Sequence, residues 1–213
     1  MDEKEKKRGL RSLMRNEKPN MSAPEAQDPR REAYEWIQSI VAAVLVCVLA
    51  FSFLFRIVSV VGTSMLPTLL PDDKIIISDL FYDPEYGDIV VLRKESFRPD
   101  PIVKRVIATE GQTVDIDFDR GVVIVDGVEL FEPYVNAPTF DRLDFSGPIT
   151  VPEGCVFVMG DNRNASTDSR ASSIGCVDER LIMGKVYLIL FPGKVDKTDK
   201  LDFSRIGSPY NER

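Results

Sequence analysis

The chain has 213 residues, a net charge of −7 and no histidine. That length suits one medium globular domain with appendages. Without histidine, neither a Ser-His-Asp triad nor a histidine-ligated metal site can be assembled. The acidic excess sits in residues 57–213, whose net charge of −9 argues against a nucleic-acid partner, because phosphates require a basic surface.

In chain order, residues 1–35 read as a polar, basic tail. Residues 1–31 hold nine Lys/Arg against six Asp/Glu, with Pro19, Pro24 and Pro29 breaking any periodicity. A disordered segment is expected. The next run, Trp36 to Phe55, is twenty residues long and carries no charge. About twenty apolar residues span a hydrocarbon core of ~30 Å, so residues 36–56 are assigned to a transmembrane helix. The run is longer than the apolar core of a cleaved signal peptide, and it ends at Phe53-Leu54-Phe55-Arg56 with no small-residue cleavage site. The basic tail then places the N-terminus in the cytoplasm and residues 57–213 outside, at the cell membrane. Trp36 suits an interfacial anchor, and Cys47 lies within the span.

Beyond Arg56 the pattern is of short strands. Runs at 57–61, 74–77, 88–92, 102–108 and 113–116 are separated by Pro, Gly and Asp turns. Residues 121–130 place two apolar runs around Asp126-Gly127, the pair that favours a type I′ hairpin. Further runs at 155–159 and 185–191 complete the set, while residues 132–154 read as a loop or cap. The fold class is therefore mostly β: one N-terminal membrane helix followed by an antiparallel β domain at 57–213. An extracytoplasmic compartment permits a Cys155–Cys176 disulfide, but two cysteines do not establish one.

Three segments carry candidate chemistry. Ser64 lies in Gly62-Thr63-Ser64-Met65-Leu66-Pro67, between a β-branched run and a proline turn that would expose its hydroxyl on rigid support. Lys104 lies in the apolar strand Ile102–Ala108. Side chains alternate along a strand, so Lys104 shares a face with Ile102 and Val106 while Arg105 points the other way. Burial penalises the ammonium ion and lowers its pKa, which is what a lysine general base requires. The third segment, Gly160 to Arg170, is dense in Asp, Asn, Ser and Arg and follows an apolar strand. Such a loop can hold a hydrogen-bond network or can simply be solvated.

Together, and in this order after a membrane span, G-T-S-M-L-P-T-L, V-K-R-V-I-A-T-E-G-Q and M-G-D-N-R-N-A-S-T-D-S-R resemble bacterial type I signal peptidases of the Ser/Lys class. The resemblance covers about 150 residues and extends to Gly184-Lys185-Val186. It implies that Ser64 is the nucleophile and Lys104 the general base. Ser166 matches a hydroxyl that orients the lysine, and Asp168 with Arg170 matches a bracing ion pair. Gly160 and Met65 match residues lining the site and the substrate pocket. Gly62 stands where some members carry a serine that helps bind the oxyanion, so the second oxyanion donor is left open between backbone and water. The implied fold is an extracytoplasmic β domain with a small inserted β extension. The implied partners are preproteins bearing signal peptides, together with the lipid bilayer, and neither metal nor cofactor is implied.

Two other readings are compatible with parts of the pattern. One is a different Ser/Lys protease, such as a self-cleaving repressor, which would lack the span. The other is a non-enzymatic, membrane-anchored β module that binds exported chains.

Overall fold

The computed structural model describes residues 29–194 and 200–210. The expected disordered tail at 1–28 lies outside these residues. The chain divides into two compact units, one up to Cys47 and the other from Val48 onward. Helix α1 spans Pro29–Leu54. It begins seven residues before the expected Trp36, because a helix satisfies its own backbone and need not stop where polarity changes. Its first turns are charged, with Arg31 and Glu35 paired one turn apart at 3.4 Å. Pro29–Ser52 is long and apolar enough to cross a membrane, and no residue of its apolar window is buried against protein. At about 1.5 Å per residue, α1 rises about 39 Å.

Among the described residues, eleven strands follow α1: β1 Arg56–Ser59, β2 Lys74–Ser78, β3 Ile89–Leu92, β4 Ile102–Ala108, β5 Thr113–Asp117, β6 Val122–Val125, β7 Val128–Glu129, β8 Ile149–Thr150, β9 Cys155–Met159, β10 Val177–Asp178 and β11 Ile182–Phe191. All pairings are antiparallel. A seven-stranded sheet has the order β1-β2-β11-β3-β4-β9-β10, and a four-stranded sheet the order β7-β6-β5-β8. The small sheet is the insertion after the lysine strand. Its β6–β7 hairpin turns at Asp126 and Gly127, which have φ of 51° and 79° with Val125 opposite Val128. Both positive angles fit the expected type I′ turn. The supposed cap at 132–154 contributes β8, a strand too short to show alternation. β11 starts at Ile182, earlier than its unbroken apolar run, because a register shift carries the pairing through Gly184.

The centre of the large sheet is buried on both faces. Ile89 and Val91 pack with Val60, Met65, Leu69, Ile75 and Val103 on one side. Val90 and Leu92 pack with Ile102, Val106, Val156 and Val158 on the other. This explains why β3 and β4 are buried throughout, without the alternation of a half-solvated strand. A third apolar cluster joins Ile107, Phe157 and Met159 to the inward faces of β5 and β6.

The segment between β1 and β2 is an excursion closed at its base. Val60 N–H donates to the Asp73 carbonyl and Asp72 N–H to that of Val60, each at 2.9 Å. The Asp73 carboxylate is fully buried, accepts from Leu70 N–H at 2.8 Å and from Gly193 N–H at 2.6 Å, and pairs with Arg205 at 2.7 Å through both oxygens. It therefore ties the loop to the C-terminal segment. Removing one partner strands the other's buried charge, so Asp73→Ala is expected to destabilise the domain by about 3–5 kcal/mol in urea unfolding. A cost under about 1 kcal/mol would show that the pair is dispensable.

Candidate active site

The loop closed by Asp73 carries Ser64, half-buried, with Met65 and Leu69 anchoring it in the core beneath. Lys104 lies mid-strand in β4, opposite Val90 of β3. Its Nζ donates to Ser64 Oγ at 2.9 Å, although the two residues are forty apart in sequence. Lys104 is 3% exposed. Burial pushes its pKa down to about 8, against the opposing pull of Asp168 and with a further lowering by Arg170. Among the described residues Lys104 makes no ion pair within 4.0 Å.

The nearby carboxylates are each held by an arginine. Asp168 and Arg170 are fully buried and bonded through both carboxylate oxygens, Nε to Oδ1 at 2.8 Å and Nη2 to Oδ2 at 2.9 Å. Arg170 also donates to the carbonyls of Asp141 and Arg163, both at 2.6 Å, and Asp168 accepts from Gly160 N–H at 3.1 Å. Asp161 is bonded by Arg105 through Nε to Oδ1 at 2.8 Å and Nη2 to Oδ2 at 2.6 Å, and Thr68 Oγ1 donates to the same Oδ2. Arg163 is fully buried and takes Glu132 through both Nη atoms. The polar loop is thus a bonded network, the first of the two possibilities left by its composition.

The loop also grips the serine segment. Asn162 N–H donates to the Ser64 carbonyl at 2.9 Å, and Asn162 Nδ2 to that of Thr63 at 3.0 Å. Gly160 lets the two pieces meet: a Cβ there would lie 2.5 Å from the Ser64 carbonyl oxygen and 2.3 Å from Ser166 Oγ. Ser166 is buried beside this point, and its hydroxyl has no hydrogen-bond partner in the structure. The expected Ser166–Lys104 bond is therefore not formed here. Met65 is 1% exposed and supports Ser64 from below. Gly62 has φ of 87° with open space around it, so a side chain there would be opposed by backbone conformation and not by crowding.

Sequence reasoning placed Arg105 on the opposite face of β4 but gave it no partner. Asp161, Asn162 and Arg163 were visible only as members of a polar run, and Glu132 as part of a loop. Arg105 also borders a cavity of about 530 Å³ with Pro67, Thr68, Tyr134 and Tyr210, which neither Ser64 nor Lys104 lines. Its guanidinium lies 3.9 Å over the Tyr134 ring. Cys155 and Cys176 are free thiols.

The profile of the family described as signal peptidase, peptidase S26, matches residues 33–191. The chain belongs to this family. It is 34% identical over 191 residues to a signal peptidase I of Bacillus licheniformis, covering 84% of this chain and 100% of that protein. It is 34% identical over 189 residues to signal peptidase I T of Bacillus subtilis strain 168, covering 84% and 96%. A crystallised signal peptidase I from Enterococcus faecalis shares 29% identity at a TM-score of 0.42, covering 49% of this chain and 97% of the other. Family membership makes the chain a serine endopeptidase, and its N-terminal apolar helix fits membrane anchoring.

Two outcomes follow from the site's energetics. Lys104 has a folded pKa of about 8, below its unfolded value, so the unfolded chain binds more protons between about pH 8 and 10.5. Its contribution to stability is lowest below pH 8 and rises through that window. Lys104→Met is therefore expected to raise unfolding stability at pH 6–7 by as much as about 3 kcal/mol, with the gain shrinking toward pH 10. A Met variant less stable than wild type at pH 6–7 would contradict the burial penalty. Asp168→Ala leaves Arg170 charged and buried, and should cost about 3–5 kcal/mol in thermal or urea unfolding. An unchanged unfolding midpoint would remove the bracing role.

Proposed function

We propose that this chain cleaves signal peptides from exported preproteins with Ser64 as nucleophile and Lys104 as general base. The observation that carries this reading is the 2.9 Å contact between Ser64 Oγ and a lysine Nζ that is buried and has no counter-ion among the described residues. While Lys104 is protonated, its ammonium donates to the hydroxyl. Once deprotonated, the amine lone pair accepts from the hydroxyl instead, and the serine is activated. With a pKa of about 8, about one lysine in ten is neutral at pH 7.

Ser64 Oγ then attacks the scissile carbonyl and its proton passes to Lys104. The ammonium so formed returns that proton to the departing amine, leaving the signal peptide as an acyl ester on Ser64. A water that gives its proton to Lys104 hydrolyses the ester and restores the hydroxyl. The Ser64 backbone N–H serves as one oxyanion donor. The tightly bonded Asp168–Arg170 pair braces the wall behind Lys104. Ser166 is assigned the positioning role that the family resemblance implies, and its buried hydroxyl carries no other hydrogen bond in the structure. As the family resemblance implies, substrate binds as an extended strand with small residues at the first and third positions before the cut.

Residues 36–56 anchor the protein in the membrane, residues 1–35 face the cytoplasm, and residues 57–213 work on the outer side. The excess of Lys/Arg before the span supports that orientation. Protease added outside spheroplasts should digest the domain and spare the tail; digestion of the tail would reverse the topology.

The chemical test uses the full chain in detergent with a preprotein substrate. Ser64→Ala and Lys104→Ala should each abolish cleavage, and the double variant should be little worse than either, as for groups acting as a unit. kcat/KM should rise with pH along a limb near pH 8 and level off above it, because the neutral lysine is the active form. A profile flat from about pH 6 to 10, or near-native turnover by either single variant, would overturn the mechanism.

A further inference from the structure

The segment between β7 and β8 reaches the nucleophile through two side-chain amides. Asn136 is exposed, and its Nδ2 donates to Asn162 Oδ1 at 2.9 Å. Asn162 in turn holds two consecutive carbonyls of the serine segment. Its backbone N–H donates to that of Ser64 at 2.9 Å, and its Nδ2 to that of Thr63 at 3.0 Å. The backbone around Asn136 is fastened on both sides. Arg163 bonds Glu132 before it, and Phe140 N–H after it donates to Asn164 Oδ1 at 2.9 Å. Asn136 is thus a fixed point from which the extension touches the serine loop through one intermediary.

A trans peptide unit is planar, with its C=O and N–H pointing in opposite directions. The Thr63 carbonyl and the Ser64 N–H belong to one such unit, so whatever holds the carbonyl also aims the N–H. That N–H donates to nothing among the described residues, and it is the oxyanion donor in the mechanism above. Little else steadies the unit. Gly62 before it is exposed and permissive at φ of 87°, Thr63 is exposed, and the turn bond from Leu66 N–H to the Thr63 carbonyl is longer, at 3.2 Å. The Asn162 carboxamide is the shorter of the two restraints on this carbonyl.

A carboxamide presents an acceptor on one side and a donor on the other, and half a turn exchanges them. With Oδ1 facing Asn136, the Asn162 Nδ2 faces Thr63. A flip would set Asn162 Oδ1 against the Thr63 carbonyl and bring two amino groups together at Asn136, so it is opposed at both ends. We propose that Asn136 is a positioning residue for cleavage: by fixing the orientation of the Asn162 carboxamide, it aims the Ser64 N–H at the developing oxyanion. This rests on the reading of Ser64 as nucleophile. It makes the inserted extension part of the geometry of the reaction.

The test uses the full chain in detergent with a preprotein substrate. Asn136→Asp keeps the size of the side chain but replaces its donor with a carboxylate, and a charge-assisted bond from Asn162 Nδ2 then favours the flip. Its kcat should fall about tenfold at unchanged KM, short of the ~10²–10³ lost with an oxyanion donor itself. Asn136→Ala removes the lock without reversing it and should give a smaller fall. A peptide aldehyde forms a tetrahedral adduct with Ser64 that places an oxygen at the donor, and it should bind Asn136→Asp about tenfold more weakly. The side chain is exposed, so both variants should keep the native unfolding midpoint, and a lowered midpoint would reduce Asn136 to a structural role. The pH limb should keep its midpoint while its plateau falls; a loss due wholly to a shifted limb would mean that the new charge acts on Lys104, and would overturn the proposal. Native kcat with a raised KM would make Asn136 a substrate contact and would overturn it too. In an Asn162→Ala background, Asn136→Asp should have no further effect, and a second full loss would show that it acts by another route. Ser64→Ala separates the two readings. Retained cleavage by that variant would refute the nucleophile itself, whereas its inactivity beside native turnover by Asn136→Asp would refute the positioning role alone.

Discussion

Everything at this site depends on keeping one buried amine without a counter-charge. Two carboxylates, Asp168 and Asp161, act on Lys104, and a lysine so placed would ordinarily pair with one and stay protonated. Here Asp168 is bonded to Arg170, Asp161 to Arg105 and Glu132 to Arg163. Arginine stays charged at any relevant pH and bonds carboxylates through two atoms, so it outcompetes lysine for them. The three pairs absorb the local negative charge and leave desolvation as the largest influence on Lys104. The proton balance of the site is thus set by residues that need not touch a substrate.

The same arrangement explains why the large sheet must be buried on both faces. A half-solvated β4 would let water reach Nζ, and the ammonium would be hydrated back toward its ordinary pKa. The core on both sides of β3 and β4 supplies a dry position, and the 61–72 excursion brings a hydroxyl to it. Ser64 is not in the sheet at all. It is placed by its closed loop base, by Met65 in the core, and by Asn162 from the polar loop. Stability is surrendered at two points for this: the amine itself, and the buried Ser166 hydroxyl that lacks a partner. An unsatisfied buried hydroxyl costs about 1–3 kcal/mol, a sum that a site built only for stability would not retain.

Much of this was legible in the residues. The absence of histidine directed attention to a lysine base, and strand alternation set Lys104 among Ile102 and Val106, where β4 holds it. The Asp126-Gly127 turn and most strand positions followed from local chemistry. What was not legible was pairing across the chain. Asp161 bonds Arg105 from 56 residues away and Asp73 bonds Arg205 from 132 residues away, and no local pattern reports which acid meets which base. The two-residue strands β8 and β10 escaped because two residues carry no period. The start of β11 escaped because pairing there runs through an irregularity and not through an apolar run.

The insertion after β4 is bound to the site by a strap of its own. Arg163 donates to Glu132 and Thr139, Asn164 Oδ1 accepts from Phe140 N–H and Asp141 N–H, and Arg170 holds the Asp141 carbonyl. The segment at 132–141 therefore closes the polar loop from outside, whatever the small sheet beyond it does. Shortening or lengthening the β5–β7 portion leaves these bonds intact, whereas deleting the strap would strip Arg163 of Glu132 and Thr139 and Arg170 of the Asp141 carbonyl. The extension can therefore change in size distal to the strap without breaking these bonds, whereas its root is one piece with the polar loop.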